Sequence, residues 1–138
     1  MTFRWQRRVA GRLTAHLRRL VQEALKSLGQ AGAEVGILFC DDATIRTLNR
    51  RFRGKDTPTD VLSFPIRSHP QEGAPYFGDI AISVETAARQ AGHAGVRTQE
   101  ELEVLLLHGL VHLAGFDHET DGGEMAALES RLRQDLIR

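Results

Sequence analysis

The run HGLVHLAGFDH, residues 108–118, constrains the fold of this chain more than any other segment. His108 and His112 are four residues apart, so on a helix their side chains lie one turn apart on the same face. Gly115 can end such a helix, because glycine adopts the left-handed backbone conformation without steric cost. The sequence therefore predicts a helix that ends near Gly115 and a turn that brings His118 back toward the other two histidines.

Three converging imidazoles are a typical ligand set of catalytic zinc sites, in which a fourth position stays open for water. We therefore predict one Zn²⁺ ion per chain, bound by His108, His112 and His118. Three neutral imidazoles favour zinc, although the residues alone leave iron and nickel open. Zinc bound in this way lowers the pKa of its water to about 7 and polarises phosphoryl or carbonyl oxygens, which indicates hydrolysis. A purely structural zinc would need a fourth protein ligand, such as Asp117.

The same histidine spacing occurs in one class of zinc proteases. Those enzymes have a Glu directly after the first His, where it acts as the general base. In this chain that position is Gly109. The missing carboxylate argues against a protease and leaves the general base unassigned.

The composition indicates a soluble globular protein, with 41% hydrophobic and 26% charged residues, and the length fits a single domain over residues 1–138. The longest purely aliphatic run, Val104–Leu107, is far shorter than the ~20 residues that span a bilayer. The N-terminus lacks the apolar core of a secretory signal, and its arginines fit an amphipathic helix better than a mitochondrial transit peptide. The single cysteine, Cys40, excludes an intrachain disulfide and suits a reducing cytoplasm. We predict a buried strand thiol there rather than a zinc ligand.

The formal net charge of zero hides a strong asymmetry between the two halves of the chain. Residues 1–55 carry 12 Lys and Arg against 4 Asp and Glu, whereas residues 56–138 carry 6 against 14. Such a division suggests a polyanionic partner for the first half. If the halves interleave in space, the surfaces are mixed instead, and charge alone does not separate these alternatives.

Apolar periodicity predicts about five helices and about four strands, without strict βαβ alternation. The predicted fold class is therefore α+β, with one small mixed β-sheet and a metal site on a helix and the turn that follows. The predicted strands are residues 3–8 (or an arm), Glu34–Cys40, Val61–Ile66 and Phe77–Ser83. The predicted helices are Val9–Leu28, a helix from Asp41 or Asp42 to about Phe52, residues 84–92 after Ser83, a helix that carries His108 and His112, and a last helix that ends near Ile137.

The starts of the last two helices are predicted from a recurring pattern. A Ser, Thr or Asp followed three residues later by Glu forms a capping box, in which two side chains satisfy backbone N–H groups of the first turn. Thr98 with Glu101 fits this pattern, and so does Asp121 with Glu124.

A second cluster of interest is NRRFRGKDTPTDVLSFP, residues 49–65, where arginines and a lysine precede a strand. The charges fit either a solvated helix end, favoured by the helix dipole, or contact with phosphates, for which Arg offers a bidentate fork. Asp79, in the run FGDIAIS, is either a partner that orients a ligating imidazole or a residue at the edge of a strand.

Together, the segments at 49–65, 77–83 and 108–118 closely resemble the YbeY family of bacterial metal-dependent endoribonucleases. Their order and spacing cover nearly the whole chain. The resemblance implies His108, His112 and His118 as zinc ligands and Arg53 as the catalytic arginine. Phe52 stands where the family often has Tyr, which keeps the aromatic ring.

The resemblance also implies a function. It implies a cytoplasmic, single-strand-specific endoribonuclease that matures the 3′ end of 16S rRNA and associates with the small ribosomal subunit in ribosome quality control, with neither a membrane nor DNA as partner. The hypothesis is zinc-assisted phosphodiester cleavage, with Arg53 on the phosphate and either water or the ribose 2′-hydroxyl as attacking group. The alternatives are a non-catalytic zinc-containing ribosome assembly factor and, less favoured, a zinc protease. Further RNA-backbone contacts are expected from the N-terminal arginines and from Arg46, Arg50, Arg51 and Lys55.

Overall fold

The computed structural model describes residues 1–7, 9, 11–65, 76–115 and 122–137. In this part of the chain lie four strands and five helices, which confirms the predicted α+β class. In chain order they are β1 (Thr2–Trp5), α1 (Gly11–Ser27), β2 (Glu34–Cys40), α2 (Asp42–Arg53), β3 (Val61–Pro65), β4 (Tyr76–Ser83), α3 (Val84–Ala94), α4 (Thr98–Leu113) and α5 (Glu124–Leu136).

The strands form one mixed sheet in the order β1-β2-β4-β3. The pairs β1–β2 and β2–β4 are parallel, whereas β3 and β4 are antiparallel. Ile80 on β4 pairs with Ile37 on one side and with Ser63 on the other, so these three residues form one row across the sheet. Because side chains alternate along a strand, the neighbouring row, which contains Asp79, faces the opposite side.

The two faces of the sheet pack against different helices. One face carries Ile37, Ile80 and Ile82, which share the main core with buried residues of α1, α4 and α5. The other face carries Leu62 and Ala81, which pack with Ile45 of α2 in a smaller cluster. Burial of both faces explains why β2 and β4 are nearly continuous apolar runs.

Helix α4 is the most enclosed helix of the fold. Only one stripe of its later turns is not fully buried, and this stripe contains Val104, His108 and His112. Apolar side chains on the rest of its circumference anchor it between the sheet and its neighbouring helices. The histidines therefore stand on a rigid platform at the surface of the core.

Two of the predicted helix starts are confirmed. The Asp41 carboxylate accepts a hydrogen bond from the Thr44 N–H at 2.8 Å and caps α2. The Ser83 hydroxyl accepts from the Thr86 N–H at 3.1 Å and caps α3. In both cases the capping residue has extended backbone geometry, as an N-cap requires.

Both predicted capping boxes are wrong. Thr98 is already the first residue of α4, and Arg97 occupies the N-cap position without a side-chain cap. Helix α5 begins at Glu124 after Gly123, so Glu124 stands at the first helical position rather than the third. Its carboxylate instead accepts a hydrogen bond from the Gly122 N–H at 2.6 Å, and Asp121 lies outside the described residues.

Cys40 is buried and its thiol donates to the Ile82 carbonyl, which confirms the predicted strand thiol. Burial, with a smaller contribution from the charges of Asp41 and Asp42, raises the pKa of this thiol to about 12. It is therefore a poor thiolate. Among the described residues, no helix combines the length and apolarity needed to cross a membrane.

Candidate metal centre

The imidazoles of His108 and His112 lie side by side on the partly buried stripe of α4. Their ring centroids are 4.7 Å apart, and the ring planes are inclined at 70°. This is the arrangement that the four-residue spacing predicts on a helix. Both rings reach the surface of the core, where they could share a metal ion.

A carboxylate of α5 lies beside the first of these histidines. His108 Nδ1 lies 2.7 Å from Glu129 Oε1, and the two side chains are 30% and 17% exposed. The contact is an ion-pair distance, and its geometry is not that of a regular hydrogen bond. A carboxylate beside Nδ1 favours a proton on that nitrogen, which leaves Nε2 as the ring nitrogen suited to bind a metal. The sequence predictions missed Glu129. A signal in the sequence could have found it. Glu129 lies four residues after Met125 and three before Leu132, the two buried residues of α5, so it shares their face of the helix.

The helix ends where the sequence predicts. Helix α4 stops at Leu113, Ala114 caps it, and Gly115 follows with a φ of +98°. The Gly115 N–H donates to the His112 carbonyl at 2.9 Å. A side chain at position 115 would be strained by this backbone conformation, which gives glycine its role here.

The third predicted ligand, His118, lies outside the described residues, as do Phe116 and Asp117. The ranges that the structure describes contain no group of three or more His, Cys, Asp or Glu arranged to hold a metal ion. His108 and His112 are the members of the predicted set that these ranges include. Their shared face and the contact of His108 with Glu129 fit a histidine-bound zinc.

Gly109 packs tightly against β4. A Cβ atom at this position would lie 3.0 Å from Ile80 Cδ1 and 3.1 Å from Ile80 Cγ2. Ile80 is itself buried, with 1% of its surface exposed. The residue after the first histidine therefore faces the sheet, and a protease-type glutamate has no room there.

Arg53 is joined to the histidine helix through a single residue of β3. Its Nη2 donates to the Ser63 carbonyl at 3.0 Å, and the Ser63 hydroxyl donates to the Gly109 carbonyl at 3.0 Å. Ser63 is buried, whereas Arg53 is exposed. Two successive hydrogen bonds thus connect the C-terminal end of α2 to the turn of α4 that carries His108.

The other basic residues of α2 divide into two groups. Arg46 forms a two-pronged contact with Asp56, at 2.9 and 3.1 Å, and Arg50 lies 4.0 Å from the same carboxylate. These contacts hold the pKa of Asp56 below its ordinary value. Arg51 instead lies over the ring of Phe52, which is 58% exposed.

Asp79 does not lie on the side of the sheet that faces His108 and His112. Its neighbour Ile80 faces α4, so Asp79 faces the opposite side of the sheet, where it lines a cleft with Phe52 and Phe64. It accepts a hydrogen bond from the Tyr76 hydroxyl, which raises the pKa of that phenol to about 12. Asp79 lies inside β4 and not at either end of that strand.

Comparison with known proteins assigns the chain to a family. The family model described as Endoribonuclease YbeY matches residues 3–136. A relative named Endoribonuclease YbeY from Moorella thermoacetica (strain ATCC 39073 / JCM 9320) is 44% identical over 138 residues, with 94% of this chain and 86% of the relative covered. One of the same name from Anaeromyxobacter sp. (strain Fw109-5) is 49% identical over 110 residues, with 78% of this chain covered. The chain spans only 57% of that relative's length.

The fold also resembles a solved structure. The solution structure of TM1509 from Thermotoga maritima is 26% identical, with a TM-score of 0.67 over 99% of this chain and 89% of that one. The family model and the relative from Moorella thermoacetica match nearly the whole chain, so the chain belongs to the endoribonuclease YbeY family.

Proposed function

We propose that this protein is a zinc-dependent, single-strand-specific endoribonuclease that acts on the 3′ end of 16S rRNA. The observation that carries the proposal is the pair His108 and His112 on α4, joined to the exposed Arg53 through Ser63. The names of the relatives agree with an RNA-cleaving activity. We further propose that the protein acts in the cytoplasm, associates with the small ribosomal subunit and takes part in ribosome quality control.

His108, His112 and His118 would hold the metal ion. Such an ion supplies Lewis acidity, which stabilises negative charge on a phosphoryl oxygen. The protein contributes the rigidity of the first two ligands, because buried apolar side chains hold α4 on the sheet.

Arg53 is the residue that we propose binds the scissile phosphate. Its contact with Ser63 uses one N–H of a guanidinium that carries five, so the side chain is oriented while its fork can still meet a phosphate. A bidentate contact of this kind favours the extra charge that a phosphodiester gains in the transition state. In this proposal Arg53 therefore stabilises negative charge on the phosphate, and a different group transfers the proton.

The attacking group is either water or the ribose 2′-hydroxyl. Position 109 cannot supply a general base of the protease kind, because Gly109 faces Ile80. The two routes leave different products, since attack by the 2′-hydroxyl forms a 2′,3′-cyclic phosphate. Analysis of the product ends separates them.

The proposal is tested with a defined single-stranded rRNA 3′ precursor, a double-stranded control and zinc analysis of each protein sample. We expect His112→Ala to lose both bound zinc and cleavage. Arg53→Ala should keep its zinc and lose cleavage by about 10²–10³-fold, as for removal of one transition-state donor. Arg97→Ala removes an exposed arginine paired with Glu100, away from the site, and should cleave like the wild type.

Full cleavage by both folded variants, His112→Ala and Arg53→Ala, would contradict the proposal. It would trace the measured nuclease activity to a contaminant and favour the non-catalytic assembly factor. Casein cleavage that depends on His112 would favour the protease instead.

A further inference from the structure

We propose that Glu129 is a positioning residue for His108, which fixes the orientation and tautomer of that imidazole so that Nε2 is the nitrogen directed to the metal. The inference rests on the proposed metal site and extends it to a residue of α5. It starts from the distance of 2.7 Å between His108 Nδ1 and Glu129 Oε1.

The position of Glu129 on α5 needs a partner. Met125 and Leu132 are 0% and 1% exposed and anchor α5 on the main core. Glu129 lies between them at helical spacings of four and three, so its side chain is directed toward α4, and it is only 17% exposed. A carboxylate largely removed from water is costly unless it is paired. The His108 imidazole lies within ion-pair distance of Oε1, although the geometry is not that of a regular hydrogen bond.

The contact also selects one form of the imidazole. A neutral imidazole carries its proton on one nitrogen and an acceptor lone pair on the other. Because the carboxylate accepts a proton donor, it favours the form with Nδ1–H, in which Nε2 has the lone pair. A carboxylate behind a ligating histidine both restrains the ring and makes it a better donor to the metal.

The chain offers a matched control for this pair. His16 Nε2 lies 2.8 Å from Glu103 Oε1, in a second His–Glu contact that also involves α4. Here the contact joins α4 to α1, and His16 is not among the predicted ligands. Removal of the Glu103 carboxylate should therefore weaken packing but leave metal binding unchanged.

The test compares Zn²⁺ binding by the full-length wild type with that of Glu129→Gln, Glu129→Ala and Glu103→Gln, by competition with a chromophoric chelator. We expect both Glu129 variants to bind Zn²⁺ about 10–100-fold more weakly, with Gln less affected than Ala. Glu103→Gln should stay within about twofold of the wild type, since it changes a His–Glu contact outside the ligand set. Circular dichroism of each variant checks the fold, and the near-isosteric Gln keeps the test valid if Ala unfolds.

A second readout is independent of affinity. Long-range ¹H–¹⁵N correlation spectra of the zinc-loaded wild type should show His108 protonated at Nδ1. A proton at Nε2, or Glu129 variants that bind Zn²⁺ like the wild type, would overturn this inference alone. If the wild type binds no Zn²⁺, the proposed metal site fails and the inference fails with it.

Discussion

At the scale of single residues, two contacts limit which side chains position 109 can accommodate. Its Cα faces Ile80 so closely that an added Cβ would lie 3.0 Å from the Ile80 side chain. Its carbonyl accepts the hydrogen bond from the Ser63 hydroxyl, which connects α4 to β3. A larger residue would push the helix off the sheet and lengthen that hydrogen bond.

We expect Gly109→Glu to lower the free energy of unfolding by about 3 kcal/mol or more, because it overpacks the core and buries a carboxylate. Gly109→Ala should lose less, because about 1 kcal/mol of helix propensity offsets part of the overlap. Urea unfolding measures both. The control is Gly92→Ala on α3, where a Cβ meets nothing within 4 Å, and it should be neutral or stabilising. A Gly109→Glu variant as stable as the wild type would refute the close packing.

At the scale of elements, Asp42 joins the start of α2 to the start of α3. Its carboxylate accepts hydrogen bonds from Ser83 and Thr86, both at 2.6 Å, and from Arg89 at 2.8 Å. Partial burial acts to raise the pKa of Asp42, but these hydrogen bonds and the charge of Arg89 outweigh it and hold the pKa below its ordinary value of 3.8. The charged carboxylate therefore stabilises the contact between the helices.

We expect Asp42→Asn to lower the free energy of unfolding by about 1–2 kcal/mol at pH 7. Because the folded pKa is depressed, the advantage of the wild type is complete above pH 3.8 and shrinks as the pH falls below that value through the folded pKa. Urea unfolding at pH 7 and at successively lower pH measures the difference. Glu23→Gln, at an exposed pair with Lys26, should change stability little at any pH. A constant difference across the range would contradict this linkage.

At the scale of the whole molecule, the basic and acidic halves of the chain pack against each other in one fold. The two halves interleave in the sheet, where β2 of the first half pairs with β4 of the second. Asp56 faces Arg46 and Arg50 at the end of α2. Arg51, Arg53 and Lys55 form the exposed basic end beside it. We expect this end to contribute most of the RNA contact from α2.

The salt dependence of RNA binding measures how much each basic residue of α2 and its exposed end contributes to RNA contact. Removing one side chain that binds a phosphate of single-stranded RNA should reduce the slope of log affinity against log salt by about 0.7. We expect that reduction for Arg51→Ala and for Lys55→Ala, and a smaller one for Arg46→Ala because Asp56 already pairs it. Arg97→Ala serves as the distant control. Equal slopes for Arg51→Ala and Arg46→Ala would show that Asp56 does not shield Arg46.

Local patterns allowed much of the fold to be predicted from the sequence. Strand β2 has the predicted bounds, Glu34–Cys40, since an apolar run between turn residues specifies a buried strand. The caps Asp41 and Ser83 are confirmed because an N-cap depends on residues within one turn. The capping-box predictions failed because the pattern marks the neighbourhood of a helix start and not the exact first residue: Thr98 and Glu124 each stand at the first helical position.

The sequence by itself determined that His108 and His112 share one face of a helix that ends before Gly115, because helical geometry depends only on nearby residues. The tertiary structure alone decided that Glu129 stands behind His108 and that Ser63 connects Arg53 to α4. These contacts join residues 10 to 46 positions apart or on separate helices. They depend on how α4 and α5 pack on the sheet, and no local pattern in the chain encodes that packing.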